Sequence, residues 1–215
     1  MEKELVARNG DKTRKNIMDT AEALILEQGF SASSIDRIID RAGITKGTFF
    51  YHFPSKTDLA QALVERFARR DIHQLTSKME AAEAETDDPV HQLLSFIGQF
   101  ATLADEWTAP YPGCLFATFC CEAGLFEDRT LVVMRDSMLT WRARIAEKLR
   151  VAVAKTPPRA PVDLDSLADA ITVVFEGAFI VSRTLNDPKT VSQQLRHLQT
   201  YLRLLFAVEA EAKAA

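Results

Sequence analysis

The chain has 215 residues, 47% hydrophobic and 26% charged, with 26 Lys and Arg against 30 Asp and Glu for a net charge of −4. That length suits one compact domain, or two small ones sharing a long helix, and the apolar share excludes a disordered chain. The acidic balance excludes a uniformly basic nucleic-acid coat, three cysteines argue against a disulfide framework, and no apolar run reaches the ~20 residues of a membrane span.

The opening MEKELVARNGDKTRK lacks the apolar core of a signal peptide, so a soluble, cytoplasmic protein is expected. A first helix carries Ile17, Ala21, Leu24 and Ile25 on one stripe and stops at Gly29, with Phe30 packing back behind it. Ser33 or Ser34 caps a second helix, whose stripe is Ile35, Ile38, Ile39 and Ala42 and which stops at Gly43. Thr45 caps a third, from Lys46 to His52 or Phe53, closed by Pro54. Ser55, with Asp58 three residues on, caps a fourth whose stripe is Leu59, Leu63 and Phe67 and which runs on towards Glu83.

Asp88 and Pro89 open a helix through Leu93, Leu94, Ile97 and Phe100, and the prolines and glycine between Trp107 and Gly113 make a loop. Cys114 to Ala123 reads as a short apolar helix. Glu127 to about Val153 reads as a long one, with Leu131, Met134, Met138, Trp141, Ile145 and Leu149 on one face. Asp163 opens a helix through Leu185, and Asp187-Pro188 opens a last one through Leu195, Leu198, Leu202 and Phe206. The only low-complexity stretch is the Ala/Glu-rich C-terminal tail. The expected fold class is all-α, with about nine or ten helices.

Residues 1–70 hold 12 Lys and Arg against 10 Asp and Glu, a balance of +2, which leaves 14 against 20, or −6, for the other 145. A mildly basic head on an acidic body is how a DNA-binding head would look, although solvated helix faces give the same split.

The informative stretch is Ser33 to Lys56, a capped helix, a Gly43 turn and a short second helix: the helix-turn-helix pattern. Ile35, Ile38, Ile39, Ile44 and Phe49 form its small core. Lys46, Gly47, Thr48, Tyr51 and His52 project outward, where Lys can donate to guanine and Thr to bases or phosphates. Lys56, beside the start of the fourth helix, and Lys12, Arg14 and Lys15, from the start of the first, are placed to meet phosphates. A plain helical hairpin with solvated faces is the bland alternative.

The string from Gly29 to Leu59 resembles the TetR family of bacterial transcription regulators. It has the Gly–aromatic pair, two serines, Ala42-Gly43-Ile44-Thr45, the Lys46-Gly47-Thr48 helix start, the aromatic cluster ending in His52-Phe53, and Lys56 before Asp58-Leu59. The family commonly has Tyr where this chain has Phe50, and its hydroxyl usually meets a phosphate; Tyr51 is the neighbour able to substitute. The expected DNA-binding set is Arg14, Ser34, Arg37, Thr45, Lys46, Gly47, Thr48, Phe50, Tyr51, His52 and Lys56. The resemblance implies a three-helix head (residues 1–56), a linking helix (55–84) and a ligand-binding and dimerisation body (57–215). It further implies a homodimer built on the last two long helices, a pseudo-palindromic double-stranded operator read in successive major grooves, and repression relieved by a small-molecule effector. Activation from the same fold is the alternative, since promoter geometry decides the direction.

In the body, Phe67, Phe100, Trp107, Phe116, Phe119, Cys120, Met134, Met138, Trp141, Phe175 and Phe179 are candidate effector-pocket residues, although such side chains at helical spacing are more often plain core. Their chemistry suits an apolar or aromatic effector, with Arg142, Arg183 and Glu176 as possible polar anchors. Cys114, Cys120 and Cys121 read as small buried hydrophobes; the sharper reading makes Cys114, after Gly113 at a helix start, a sensor of oxidants or electrophiles. No metal or cofactor is expected, because the cysteines lack zinc spacing and His52, His73, His91 and His197 are scattered. No catalytic residue is expected either: Gly-rich phosphate loops, GxSxG and HExxH are all missing, and although Glu122 among the cysteines looks like an acid/base group, a charged residue bounding an apolar helix is the commoner case. A helical ligand-binding protein, enzyme or adaptor without DNA binding is the competing class.

Overall fold

A computed structural model describes residues 2–208, with side chains from residue 10 onward. The Ala/Glu-rich tail lies outside the described residues. Among them the chain forms nine α-helices and no strand: α1 (Glu2–Gln28), α2 (Ile35–Ala42), α3 (Lys46–His52), α4 (Lys56–Glu85), α5 (Pro89–Asp105), α6 (Leu115–Cys120), α7 (Asp128–Lys155), α8 (Leu164–Leu185) and α9 (Lys189–Leu205). A single 3-10 turn, Ala123–Leu125, follows α6. No described helix is long and apolar enough to cross a membrane.

The boundaries follow from local chemistry. Ser34, rather than Ser33, caps α2 by accepting from the Arg37 amide, and Gly43 ends the helix at φ 66°, a left-handed conformation that costs a side-chain-bearing residue about 1–2 kcal/mol. Ser33 is buried and its hydroxyl donates to the Gly29 carbonyl. Thr45 caps α3 and Asp163 caps α8 in the same way as Ser34. Asp88 accepts from the amides of both Val90 and His91 at the start of α5, where Pro89 has no amide to leave unpaired.

Two expectations need correction. Lys12, Arg14 and Lys15 lie in the middle of α1 rather than at its start, because no proline or cap interrupts the helical run from Glu2; they present side chains but no unpaired amides. The cysteine helix is shorter than expected, since the backbone tightens into the 3-10 turn after Cys121.

The chain folds into two compact units. The first holds the residues up to Arg70 together with Gly113–Asp136; the second holds Asp71–Pro112 and Ser137 onward, so α4 and α7 contribute to both. In the first unit α1 packs on α2 and α6. Its buried side chains include Ile17, Leu24 and Ile25 of α1, Ile38 and Ile39 of α2, Phe49 of α3, and Leu59 and Leu63 of α4; Ile35 and Ile44 are only half-buried. Glu22 of α1 is 9% exposed, and a carboxylate so buried must be paired. Arg66 and Arg70 of α4 each donate to it at 2.6 Å, and Arg66 also reaches Asp19 at 2.6 Å. In the second unit α9 packs on α5 and α8 around a core that includes Phe96, Ile97, Ile145, Leu149, Ile171 and Leu195.

Candidate nucleic-acid interface

Helix α3 has seven residues and one deep anchor. Phe49 is 0% exposed, with the Phe53 ring 6.1 Å away at the helix end. Fixing that side chain inward turns the opposite edge outward at 3.6 residues per turn. Lys46, Gly47, Phe50 and Tyr51 are exposed, while Thr48 and His52 are half-buried. Tyr51 is 83% and Phe50 41% exposed, adjacent aromatic rings turned to solvent. Phe50 has no hydroxyl to offer a phosphate, and the Tyr51 hydroxyl stands one residue further along a different direction of the helix.

The start of α3 is rigid. Thr45 Oγ1 accepts from the Thr48 amide at 3.1 Å, and the two threonine hydroxyls hydrogen-bond each other at 2.8 Å. Lys46 Nζ lies 3.7 Å from an Asp36 carboxylate oxygen; both side chains are largely exposed, and such a pair is worth at most ~1 kcal/mol, so it yields readily to a phosphate or base edge. Arg14 stacks its guanidinium 4.8 Å over the Phe53 ring and also donates to Met18 Sδ, which places its charge beside the end of α3. Ser34 and Arg37 are exposed, Ser34 occupied as the α2 cap and Arg37 reaching the Ala32 carbonyl. Ten of the eleven expected DNA-facing residues therefore lie on or beside α2 and α3.

Lys56 is the eleventh, and it is turned inward. Its ammonium donates to the Phe30 carbonyl at 2.5 Å and sits 4.0 Å over the Phe30 ring. Burial pushes its pKa down, against the pull of the Glu122 carboxylate. Glu122 itself escaped the sequence reading as a contact of the head. Its carboxylate accepts from the Phe30 amide at 2.7 Å, the Ser31 amide at 2.9 Å and the Ser31 hydroxyl. The Ser31 hydroxyl first, then the two amides and Lys56, hold its carboxyl below the usual carboxylate range in spite of desolvation. Gly29 makes room for it: at φ 86° a Cβ there would be strained and would come within 3.0 Å of Glu122 Oε1. Phe30 also packs against Phe119 and Phe126, at 5.5 and 4.7 Å between ring centroids. No local pattern marks a contact spanning ninety residues; the exposed-looking charge at the end of an apolar helix was its only trace.

The eleven candidate effector residues are divided between the two units. Phe67, Phe116, Phe119, Cys120 and Met134 belong to the first unit, where Phe67 and Phe116 pair edge-on at 4.7 Å. Phe100, Trp107, Met138, Trp141, Phe175 and Phe179 belong to the second. There Phe100 meets Phe175 at 5.0 Å and Trp141 at 6.3 Å, and Trp107 stacks on Tyr111 at 4.8 Å beside Phe179. Two of the expected anchors are engaged: Arg142 makes a two-pronged pair with Asp169, and Arg183 donates to the Pro112 carbonyl. Trp141 Nε1 donates to Asp71 at 2.6 Å. The second unit also has an open, polar groove of about 850 Å³ whose walls include Lys78, His91, Gln99, Arg196 and Gln199, and none of the eleven lines it.

The cysteines differ from one another. Cys114 is buried at the start of α6, as expected, whereas Cys120 and Cys121 are exposed, because α6 ends there and turns them off its packed face. The expectation of three buried thiols is corrected for these two. No group of three or more His, Cys, Asp or Glu able to hold a metal occurs among the described residues.

Two family patterns match the chain. "Bacterial regulatory proteins, tetR family" covers residues 17–63, and "Tetracyclin repressor-like, C-terminal domain" covers 89–198. The chain is 28% identical over 159 residues to the transcriptional regulator AcuR of Cereibacter sphaeroides, spanning 73% of this chain and 69% of that one. It is 25% identical over 171 residues to the transcriptional repressor DhaR of a Mycobacterium species, spanning 78% and 80%. A solved TetR transcriptional regulator of Chloroflexus aurantiacus superposes with a TM-score of 0.74 at 26% identity, over 92% of this chain and 98% of that one.

Proposed function

This chain belongs to the TetR family of bacterial regulatory proteins, and from that premise we propose that it is a homodimeric repressor that holds a pseudo-palindromic operator with α3 and lets go when a small apolar or electrophilic effector binds. The observation that carries the DNA half of this reading is the make-up of α3: a Thr45-capped, Phe49-anchored helix whose Lys46, Gly47 and Tyr51 edge faces solvent. Gly47 lets the backbone approach base edges closely, Lys46 supplies a donor for guanine, and the Tyr51 and Thr48 hydroxyls suit phosphate oxygens. The head at 1–56, linked through 55–84 to a body at 57–215, is the division of labour that goes with it.

Dimerisation through α8 and α9 is supported by what those helices leave uncovered. Val173 and Ile180 of α8 are 66% and 62% exposed, and Tyr201 and Leu204 of α9 48% and 63%, at the spacing of a helical stripe on each. A two-fold axis through these stripes matches one surface to itself. Effector release requires tighter binding to the conformation with the wrong head spacing, since equal affinity shifts nothing. Regulation rather than catalysis is the activity that the relatives support.

Selection from a random duplex pool tests this. The expected result is a pseudo-palindrome with half-sites about 10 bp apart, binding that weakens steeply with salt, and its loss in Lys46→Ala and Tyr51→Ala. Ile180→Glu combined with Leu204→Glu should sediment as a folded monomer that no longer retains the site. An asymmetric selected site, or retention undiminished by the α3 substitutions, would overturn the reading.

A further inference from the structure

Beside the contact between Glu122 and the head stand two consecutive exposed thiols, Cys120 and Cys121. Cys120 is the last residue of α6 and Cys121 its C-cap, at φ −66° and ψ −19°. The end of the helix is closed by the Cys121 amide on the Ala117 carbonyl and the Glu122 amide on the Phe119 carbonyl. The next residue, Glu122, holds the amides of Phe30 and Ser31 in the turn between α1 and α2.

We propose that Cys120 and Cys121 form a chelating site for a trivalent, monosubstituted arsenical, and that closing the chelate withdraws Glu122 from the α1–α2 turn. Sulfur ligands select soft centres. A metal ion needing four protein ligands is not served here, because no third His, Cys, Asp or Glu joins the pair among the described residues. A linear two-coordinate ion takes its sulfurs from opposite sides, and that straight angle strains the small ring closed through a single peptide unit. An organoarsenic(III) centre brings its own third substituent and takes two sulfurs on one side. With R–As=O, both S–H bonds and the As=O bond break and two As–S bonds form. The oxygen leaves with the two protons as one water; arsenic stays trivalent and no oxidant is consumed.

The coupling follows from helix geometry. Consecutive side chains on a helix point about 100° apart, so two adjacent sulfurs do not face one centre, and drawing both onto it strains the helical backbone angles of Cys120 and Cys121. Chelation therefore unwinds the last turn of α6 and breaks the closing bonds from the Cys121 and Glu122 amides. Glu122, rigidly next in sequence, loses its position against Phe30 and Ser31, and Lys56 loses the charge that faces it. The two protein sulfurs act as one ligand of high effective concentration, which is why the pair outcompetes monothiols where either alone does not. The regulatory meaning rests on the DNA-binding reading above; the ligation and the loosened turn do not.

The test uses the full chain and phenylarsine oxide. One adduct per chain should form, with titratable thiols under denaturing conditions falling from three to one. It should survive excess glutathione and reverse with 2,3-dimercaptopropanol. Cys120→Ser and Cys121→Ser should each lose resistance to glutathione by at least tenfold, and Cys114→Ser should behave as the parent. Amide exchange at Phe30 and Ser31 should speed up at least tenfold in the adduct, and Glu122→Ala should show the same acceleration without arsenical. An adduct that persists in both single variants, or that consumes Cys114, overturns the site; an intact adduct with unchanged exchange at Phe30 and Ser31 overturns the coupling. None of these readouts involves DNA, so failure of the operator reading would show separately, as a selected duplex that never forms a complex with the untreated protein.

Discussion

Removing the Glu122 carboxylate measures what the contact at the head turn is worth. In Glu122→Ala the Phe30 amide loses its acceptor at 2.7 Å, and Phe30 is only 6% exposed, so water replaces that acceptor poorly. A buried amide left without a partner costs about 1–3 kcal/mol. Ser31 is exposed and its amide and hydroxyl rehydrate at little cost. The sum is about 2 kcal/mol, which for a chain of this size lowers Tm by roughly 4–8 °C. Glu122→Gln keeps one carbonyl oxygen and should lose about half as much. Because the Glu122 carboxyl is lowered, chiefly by the Ser31 hydroxyl, its contribution is present above the ordinary carboxylate range and fades as pH falls through the lowered value; the Gln variant should lack that acid-dependent loss. Urea unfolding followed by far-ultraviolet circular dichroism reads the change, and amide exchange at Phe30 locates it. Both tryptophans, Trp107 and Trp141, lie in the other unit, so their fluorescence in native buffer should not move. A loss below about 0.5 kcal/mol in Glu122→Ala, the range of inconsequential surface changes, or unaltered exchange at Phe30, would refute the reasoning.

Phe49→Ala empties a site that is 0% exposed and should cost about 3–5 kcal/mol, seen as lost helix content and duplex retention together; Tyr51→Ala, at a residue 83% exposed, should leave stability within about 0.5 kcal/mol and still lose the duplex. Gly43→Ala meets no atom within 4 Å, so its cost should be the backbone strain alone, about 1–2 kcal/mol in denaturant midpoint, and Gly43→Asn should cost less. Asp105, hydrogen-bonded by Arg196 and Ser192, has its carboxyl lowered to about 2. It stabilises above the unfolded value of about 3.9 and loses this as pH falls towards about 2, by less than about 1 kcal/mol because the pair is partly exposed; in Arg196→Gln, tryptophan-monitored urea midpoints should no longer show that step.

Most helix boundaries could be read from the residues because they are decided locally. Ser34, Thr45, Asp88 and Asp163 each cap the helix they precede, and Gly43 ends one by taking a backbone angle that other residues resist. The outward edge of α3 was legible for a related reason: once Phe49 is taken as the anchor, helical periodicity decides which neighbours face away. What escaped depends on distant pairing. Glu122 has no sequence neighbour that explains its charge; its partners are the amides of Phe30 and Ser31. Lys56 was expected to point at a phosphate and instead finds the Phe30 carbonyl and ring, which no spacing rule announces. The exposure of Cys120 and Cys121 turned on where α6 stops, and a short apolar run without a strong stop signal does not reveal that. The candidate effector residues share hydrophobicity and helical spacing, and neither property separates the five in one unit from the six in the other.

The composition of the first unit bears on anyone who would swap recognition specificities between regulators. A cut placed after residue 56 looks convenient, since it keeps the whole helix-turn-helix on one fragment. Yet such a transplant leaves behind the stretch from Gly113 to Asp136, and with it the acceptor for Phe30 and Ser31 and the aromatic wall of Phe119 and Phe126. A hybrid would have to import the donor's counterpart of both pieces, or match Gly29 and position 122 across the junction, for its grafted head to sit as firmly as the parent's.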